Sequence, residues 1–96
     1  MIEVRTTEEF DAWLEGQKDA RAADAITARL IRFGHGLMGD VAPVGDGVSE
    51  ARIHYGPGFR IYFVRQGRVV IVVLCGGDKS TQAKDIEKAK ALAKRL

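Results

Sequence analysis

Ser49–Gln82 reads SEARIHYGPGFRIYFVRQGRVVIVVLCGGDKSTQ, and this stretch decides the fold. Its first half alternates with a period of two, as half-buried strands do. Ala51, Ile53 and Tyr55 fall on one side, Arg52 and His54 on the other. After Gly56-Pro57-Gly58 turns the chain, Phe59, Ile61 and Phe63 alternate with Arg60 and Tyr62. The register that keeps every large apolar residue on one face sets Tyr55 opposite Phe59 and Ile53 opposite Ile61. His54 then faces Arg60, and Arg52 faces Tyr62; a slip of one residue would mix the faces. Gln66-Gly67 predicts a second tight turn into Val69–Cys75, VVIVVLC, which is apolar on both sides. Such a strand is expected to be central and covered on both faces. Ser80 or Thr81 can cap a last helix. Ile86, Ala89, Ala93 and Leu96 form its inner stripe, with lysines outside.

Upstream, Ile2 to Arg5 reads as a short extended segment. Thr6 followed by Glu9 matches a capping box, and Phe10, Trp13 and Leu14 share one face of a helix that Gly16 ends. A second helix is expected from Asp19 to Phe33. Ala22, Ile26, Leu30, Phe33 and Leu37 form its buried stripe, and Arg21, Arg29 and Arg32 decorate the remainder. These two helices make an amphipathic hairpin. Gly34–Gly47, GHGLMGDVAPVGDG, reads as a loop without a phosphate-cradling signature, and His35 as a surface residue near a helix end. The order is β-α-α-β-β-β-α, one α+β domain over residues 1–96.

At 96 residues, 46% of them hydrophobic, the chain can bury one modest core and no second domain. The apolar run from Val69 to Cys75 is too short to span a membrane. Acids in MIEVRTTEEF argue against a signal peptide and for the cytoplasm. A single cysteine, Cys75, excludes an internal disulfide and a cysteine zinc site, and the two histidines lack ligand spacing. No metal or cofactor is expected.

Net charge is +2 and unevenly spread. Residues 1–32 hold seven acids against five bases, residues 48–79 five bases against two acids, and residues 80–96 again five against two. A basic back half suits a nucleic acid or an acidic protein. On one face of the hairpin stand Arg52, His54, Arg60 and Tyr62, and GGDKST returns Lys79 to the same end. Two arginines opposed by no obvious carboxylate invite a phosphate, which guanidinium binds bidentately, and Glu50 and Asp78, without an evident partner, form no paired-carboxylate constellation. Tyr62 is placed to stack a base. For RNA cleavage by a neighbouring 2′-hydroxyl, Arg60 and Lys79 suit the developing charge. His54, with Tyr62 second, suits proton transfer. Arg52, Arg60, Lys79 and Lys84 form the candidate RNA-binding set. Arg65 and Arg68 read as solvated turn residues, and Cys75 as core. A polar outer face is also what any half-buried antiparallel hairpin presents, and the chain then reads as a small non-catalytic binding module.

ARIHYGPGFRIYFVRQG followed by VVLCGGDKSTQAKDIEKAKAL closely resembles the RelE/ParE toxin superfamily, and within it the phage-derived, HigB-type addiction module killer proteins. The resemblance spans essentially the whole chain. It implies a twisted antiparallel sheet packed by an N-terminal helical hairpin and a C-terminal helix. It also implies the toxin half of a type II toxin–antitoxin module. RelE-like and HigB-like members cut mRNA at the ribosome; ParE-like members inhibit DNA gyrase. By this resemblance Arg60 matches the arginine after the hairpin turn that cleaving members place on phosphate. Arg52 lies on a strand where they carry a base, and Lys79 in a loop that supplies site residues. The implied activity is a metal-independent endoribonuclease. The implied partners are ribosome, mRNA and a helix-turn-helix antitoxin that carries operator binding. Cleaving members often end in an aromatic residue or histidine; AKRL offers Lys94 and Arg95 instead.

Overall fold

Alternation in Ser49–Gln82 becomes the centre of a five-stranded sheet in the computed structural model, which describes Met1–Leu96. In chain order the elements are β1 (Glu3–Thr6), α1 (Glu8–Glu15), α2 (Ala20–Gly34), β2 (Val41–Gly45), β3 (Val48–Ile53), β4 (Phe59–Gln66), β5 (Val70–Asp78) and α3 (Gln82–Ala93). A 3₁₀ turn, Lys79–Thr81, joins β5 to α3. The strand order is β1-β5-β4-β3-β2. The α+β class and the helix–sheet packing are as expected, but the sheet is mixed: β1 runs parallel to β5. The two N-terminal helices carry the chain from β1 at one edge of the sheet to β2 at the other, and β5 enters beside β1 from the β4–β5 hairpin.

The strand β2 lies inside the segment read as a loop. Its Gly and Pro content hides it, yet Pro43 sits on an edge strand, where a missing N–H costs little. Asp46 (φ 55°) and Gly47 (φ 77°) then turn the chain into β3. That left-handed pair is the tight hairpin geometry that Asp-Gly favours.

The hairpin register differs from the expected one by a whole pair. Ile53 faces Phe59, Arg52 faces Arg60, and Ala51 faces Ile61. The loop is therefore His54–Gly58, longer than Gly56–Gly58 alone. A shift of one pair keeps each side chain on its face, so the burial argument for the faces survives. The β4–β5 loop is Gly67–Val69, since Gln66 already faces Val70.

One face of the sheet packs on α1 and α2. Phe10, Ile26, Phe33, Ala51, Ile53, Ile61, Phe63, Ile71 and Val73 form a continuous buried cluster there. The other face packs on α3, where Val48, Tyr62, Val72, Leu74 and Cys75 meet Ala89 and Leu92. Both faces of β5 are covered, as its unbroken apolar run predicts. Leu37 and Leu96 stay exposed; Met38 and Leu92 take the apolar positions expected of them. The α1 cap is Thr7, one residue later than read: its hydroxyl accepts the Phe10 N–H at 3.0 Å. Asp78 caps the 3₁₀ turn by accepting the Ser80 N–H at 2.8 Å, while Thr81 at the start of α3 makes no side-chain cap.

Gly76 and Gly77 are glycines for lack of room. A Cβ on Gly76 would stand 2.5 Å from the Trp13 ring, and one on Gly77 would overlap the Asp85 carboxylate. The GGD step is thus a close approach of α1 and α3 to β5 rather than a phosphate cradle. No helix is long and apolar enough to cross a membrane.

Candidate anion-binding cleft

Beneath α3 the sheet face reads in three rows across β3, β4 and β5. The first is Val48, Val64 and Val72; the second Glu50, Tyr62 and Cys75; the third Arg52, Arg60 and Gly77. The apolar side chains of α3 cover the first two rows, with Ala89 and Leu92 its buried residues. Its first turn stops at the third row, where the sheet end stays open. There Arg52, Ile53, His54, Gly58, Phe59, Arg60 and Lys79 line a cleft of about 140 Å³. The Lys79 N–H donates to the Gly58 carbonyl at 3.2 Å, fixing the α3 approach against the β3–β4 loop.

The sequence reading left both arginines without carboxylates; the structure supplies two, set behind the cleft rather than in its wall. Glu50 is buried, with its Oε2 3.5 Å from Arg60 Nε and its Oε1 4.0 Å from Arg52 NH1. Gln82, at the first turn of α3, donates to Glu50 Oε2 at 3.2 Å. Asp40 approaches Arg52 Nε at 3.3 Å through Oδ1 and accepts from His54 Nε2 at 2.8 Å through Oδ2. An ionised carboxylate only accepts, so this contact puts the imidazole proton on Nε2 and leaves Nδ1 as the ring's free acceptor. The His54 hydrogen bond is the main reason that the Asp40 carboxyl is held below its usual range, with Arg52 nearby adding to it.

These carboxylates touch the arginines as charges, not as aligned acceptors. Neither Arg52 Nε nor Arg60 Nε makes a hydrogen bond, although both atoms are buried. Both Nε atoms face the acids and are closed to solvent, so a ligand in the cleft has only the remaining guanidinium nitrogens to meet. A buried donor without an aligned acceptor costs about 1–3 kcal/mol, which the charge of the carboxylate beside it offsets in part.

Arg29 is a further correction. Read as solvent-facing, it is buried and donates from NH2 to the Arg52 carbonyl at 2.9 Å. Its Nε and NH1 have no partner, and burial, with Arg32 adding to it, lowers its pKa. The loop folds over it so closely that a Cβ on Gly39 would lie 3.2 Å from its Cζ.

Of the sequence-predicted set, the structure brings Arg52, His54, Arg60 and Lys79 together. It does not bring in Tyr62, which is fully buried beneath α3 with its hydroxyl unpartnered. Burial first, and Glu50 second, push its phenol well above the usual range, so it neither stacks a base nor passes a proton. Lys84 is exposed on α3, outside the cleft lining. His35 stands at the C-terminal end of α2, as expected. Cys75 is core: burial first, then Asp85, pushes its thiol up to about 12.

Sequence reasoning missed Asp40, Glu50 and Arg29. Glu50 was within reach, because Val48, Glu50 and Arg52 continue one alternating face. Asp40 was not, since it acts from a segment whose strand is hidden by Gly and Pro. Chemically, three cations converge with one imidazole on a space of about 140 Å³, and Phe59 also lines it.

No protein-family model matches the chain. A Haemophilus influenzae protein described as uncharacterized is 48% identical over 95 residues, covering 99% of this chain and 96% of that protein.

Proposed function

We propose, for a chain that belongs to one family with this Haemophilus influenzae protein, that the cleft holds a phosphate of RNA and that the protein is the toxin of a type II toxin–antitoxin module acting as a ribosome-dependent mRNA interferase. The observation that carries this reading is the pair of arginines, Arg52 and Arg60, cross-strand neighbours that both line the cleft at an open sheet end. The resemblance of the hairpin and GGDKST blocks to RelE/ParE toxins supports it.

In this reading the substrate's own 2′-oxygen bonds to the adjacent phosphorus as the bond from phosphorus to the 5′-oxygen breaks, leaving a 2′,3′-cyclic phosphate and a 5′-hydroxyl end. Arg52, Arg60 and Lys79 take up the charge that develops on the phosphoryl oxygens. His54, oriented by Asp40, takes the 2′-hydroxyl proton on Nδ1, and water protonates the departing 5′-oxygen. The protein works in the cytoplasm, and a helix-turn-helix antitoxin covers the basic cleft and carries operator binding. Inducing the protein and mapping transcript ends tests the reading. Translation-dependent cuts that vanish with Arg60→Ala are expected; growth arrest with intact mRNA would overturn it.

One observation favours a second reading, a ParE-like gyrase inhibitor. The outward face of α3 presents Lys84, Lys88 and Lys94 to solvent, away from the cleft. Accumulated gyrase–DNA cleavage complexes, insensitive to Arg60→Ala and lost when these lysines are replaced, would select it.

A further inference from the structure

We propose that Asp40 and Glu50 are positioning residues of the cleft, holding Arg52 and Arg60 from behind so that their donors meet a bound phosphate oxyanion. The inference rests on the cleft being the phosphate site of the proposed function. Two facing arginines repel each other and would splay into solvent without a restraint. The restraint is built from two sides. Glu50, buried in the second row, lies under both guanidinium groups and is itself anchored by Gln82 of α3. Asp40, on the opposite flank, takes Arg52 through one oxygen and His54 through the other.

The geometry separates this role from simple neutralisation. A carboxylate that serves as a partner accepts aligned N–H bonds and thereby occupies the guanidinium fork. Here neither arginine donates a hydrogen bond to either carboxylate, and no carboxylate lines the cleft. The acids lie against the Nε side of each guanidinium, outside the lining of the cleft that the two arginines share. Arg29 completes the frame from the other face of the sheet, through its bond to the Arg52 carbonyl.

The two roles predict opposite signs. If Asp40 and Glu50 act only as charges, removing either strengthens anion binding, because a negative charge near the anion is gone. If they position the arginines, removing either weakens it. The experiment titrates inorganic phosphate, and separately a short oligoribonucleotide, into wild type, Asp40→Asn and Glu50→Gln. In parallel, the Nε–Hε signals of Arg52 and Arg60 are followed by NMR with bound phosphate. Weakening on the order of tenfold is expected for each variant. Asp40→Asn should broaden the Arg52 signal alone, Glu50→Gln both signals, and Asp40→Glu should restore affinity in part.

Equal or tighter phosphate binding in Asp40→Asn, with the Arg52 signal unchanged, overturns the inference. Asp40 is on the surface, so this variant decides the matter even if Glu50→Gln fails to fold. Wild type that binds no phosphate overturns the inference and the reading of the cleft together. Wild type that binds phosphate through positioned arginines, yet leaves mRNA intact in cells, overturns only the interferase.

Discussion

The sheet face beneath α2 joins Phe33, Ile53, Ile61, Phe63 and Ile71 into one apolar cluster. The face beneath α3 buries Glu50 and Tyr62 among valines and ends in two arginines. The same three strands supply both faces, so the difference lies in alternate residues of one ribbon. The α2 face serves stability: its stripe recurs at helical spacing and meets sheet residues whose buried members on that side are all apolar. The α3 face is graded, from valines at one end to charge at the other. The helix covers only as much of it as can be made dry. A site arises where that coverage stops.

The largest effect that sharpens this contrast is loss of core volume under α2. Phe33 is fully buried, its ring centroid 5.0 Å from that of Phe63. Phe33→Ala is expected to cost about 3–5 kcal/mol, read from urea or thermal unfolding. It should lower the unfolding midpoint by tens of degrees at this chain length, at about 4–8 °C per kcal/mol. A cost under about 1 kcal/mol would mean that the two faces share stability more evenly than their packing implies.

Alkali should distinguish the faces next. Under α3, burial raises both the Cys75 thiol, to about 12, and the Tyr62 phenol, so the folded chain keeps protons that the unfolded chain releases. The stability linked to Cys75 is fully present below the thiol's unfolded value near 9 and is lost progressively as pH rises toward about 12. Each such group steepens the loss by at most about 1.4 kcal/mol per pH unit. Chemical denaturation at stepped pH should show the decline, and Cys75→Ala should flatten it. None of the nine buried residues under α2 titrates, although burial and a bond to Asp19 raise the phenol of Tyr55, which packs against them; an unaltered slope in Cys75→Ala would contradict the assignment of this loss to Cys75.

Much of this contrast was legible in the sequence. Period two named both faces of the hairpin, and the unbroken VVIVVLC run placed β5 at the centre, because strand periodicity and burial are local properties of the chain. The exact pairing was less legible. A whole-pair shift leaves the pattern of faces unchanged, so burial could not choose between Ile53 facing Ile61 and Ile53 facing Phe59. For the site, Arg52, His54, Arg60 and Lys79 could be grouped by face and topology. What α3 covers could not, and this is why Tyr62 was mistaken for an open aromatic. Asp40 was illegible for a different reason: its role depends on a bond to His54 across 14 positions, which no period announces.

Tyr62 offers a smaller test of the graded face. Its hydroxyl is buried without a partner, a loss with no return in folding. Tyr62→Phe is expected to raise stability by about 1 kcal/mol in denaturant titration, because an unsatisfied polar atom is removed at constant shape. Phosphate binding should not change. A destabilised variant would mean that the hydroxyl has an acceptor, with Glu50, its cross-strand neighbour, the first candidate.

The smallest expected effect lies at the other end of the same ribbon. Arg68 stands in the β4–β5 turn and Arg52 on β3; both are arginines of one antiparallel hairpin system, and charge counting treats them alike. They differ in what stands behind them. Arg52 has Asp40, Glu50 and a carbonyl fixed by Arg29; Arg68 is exposed, and no salt bridge holds it. A free surface arginine loses rotamer entropy when it meets an anion, while a held one has lost it on folding. Arg68→Ala should therefore change stability by less than about 0.5 kcal/mol and leave phosphate affinity where it was. Arg52→Ala should weaken phosphate binding on the order of tenfold in the same titration. Equal losses at the two positions would show that net basicity attracts the anion; unequal losses in this order would trace the attraction to the guanidinium that the fold has already aimed.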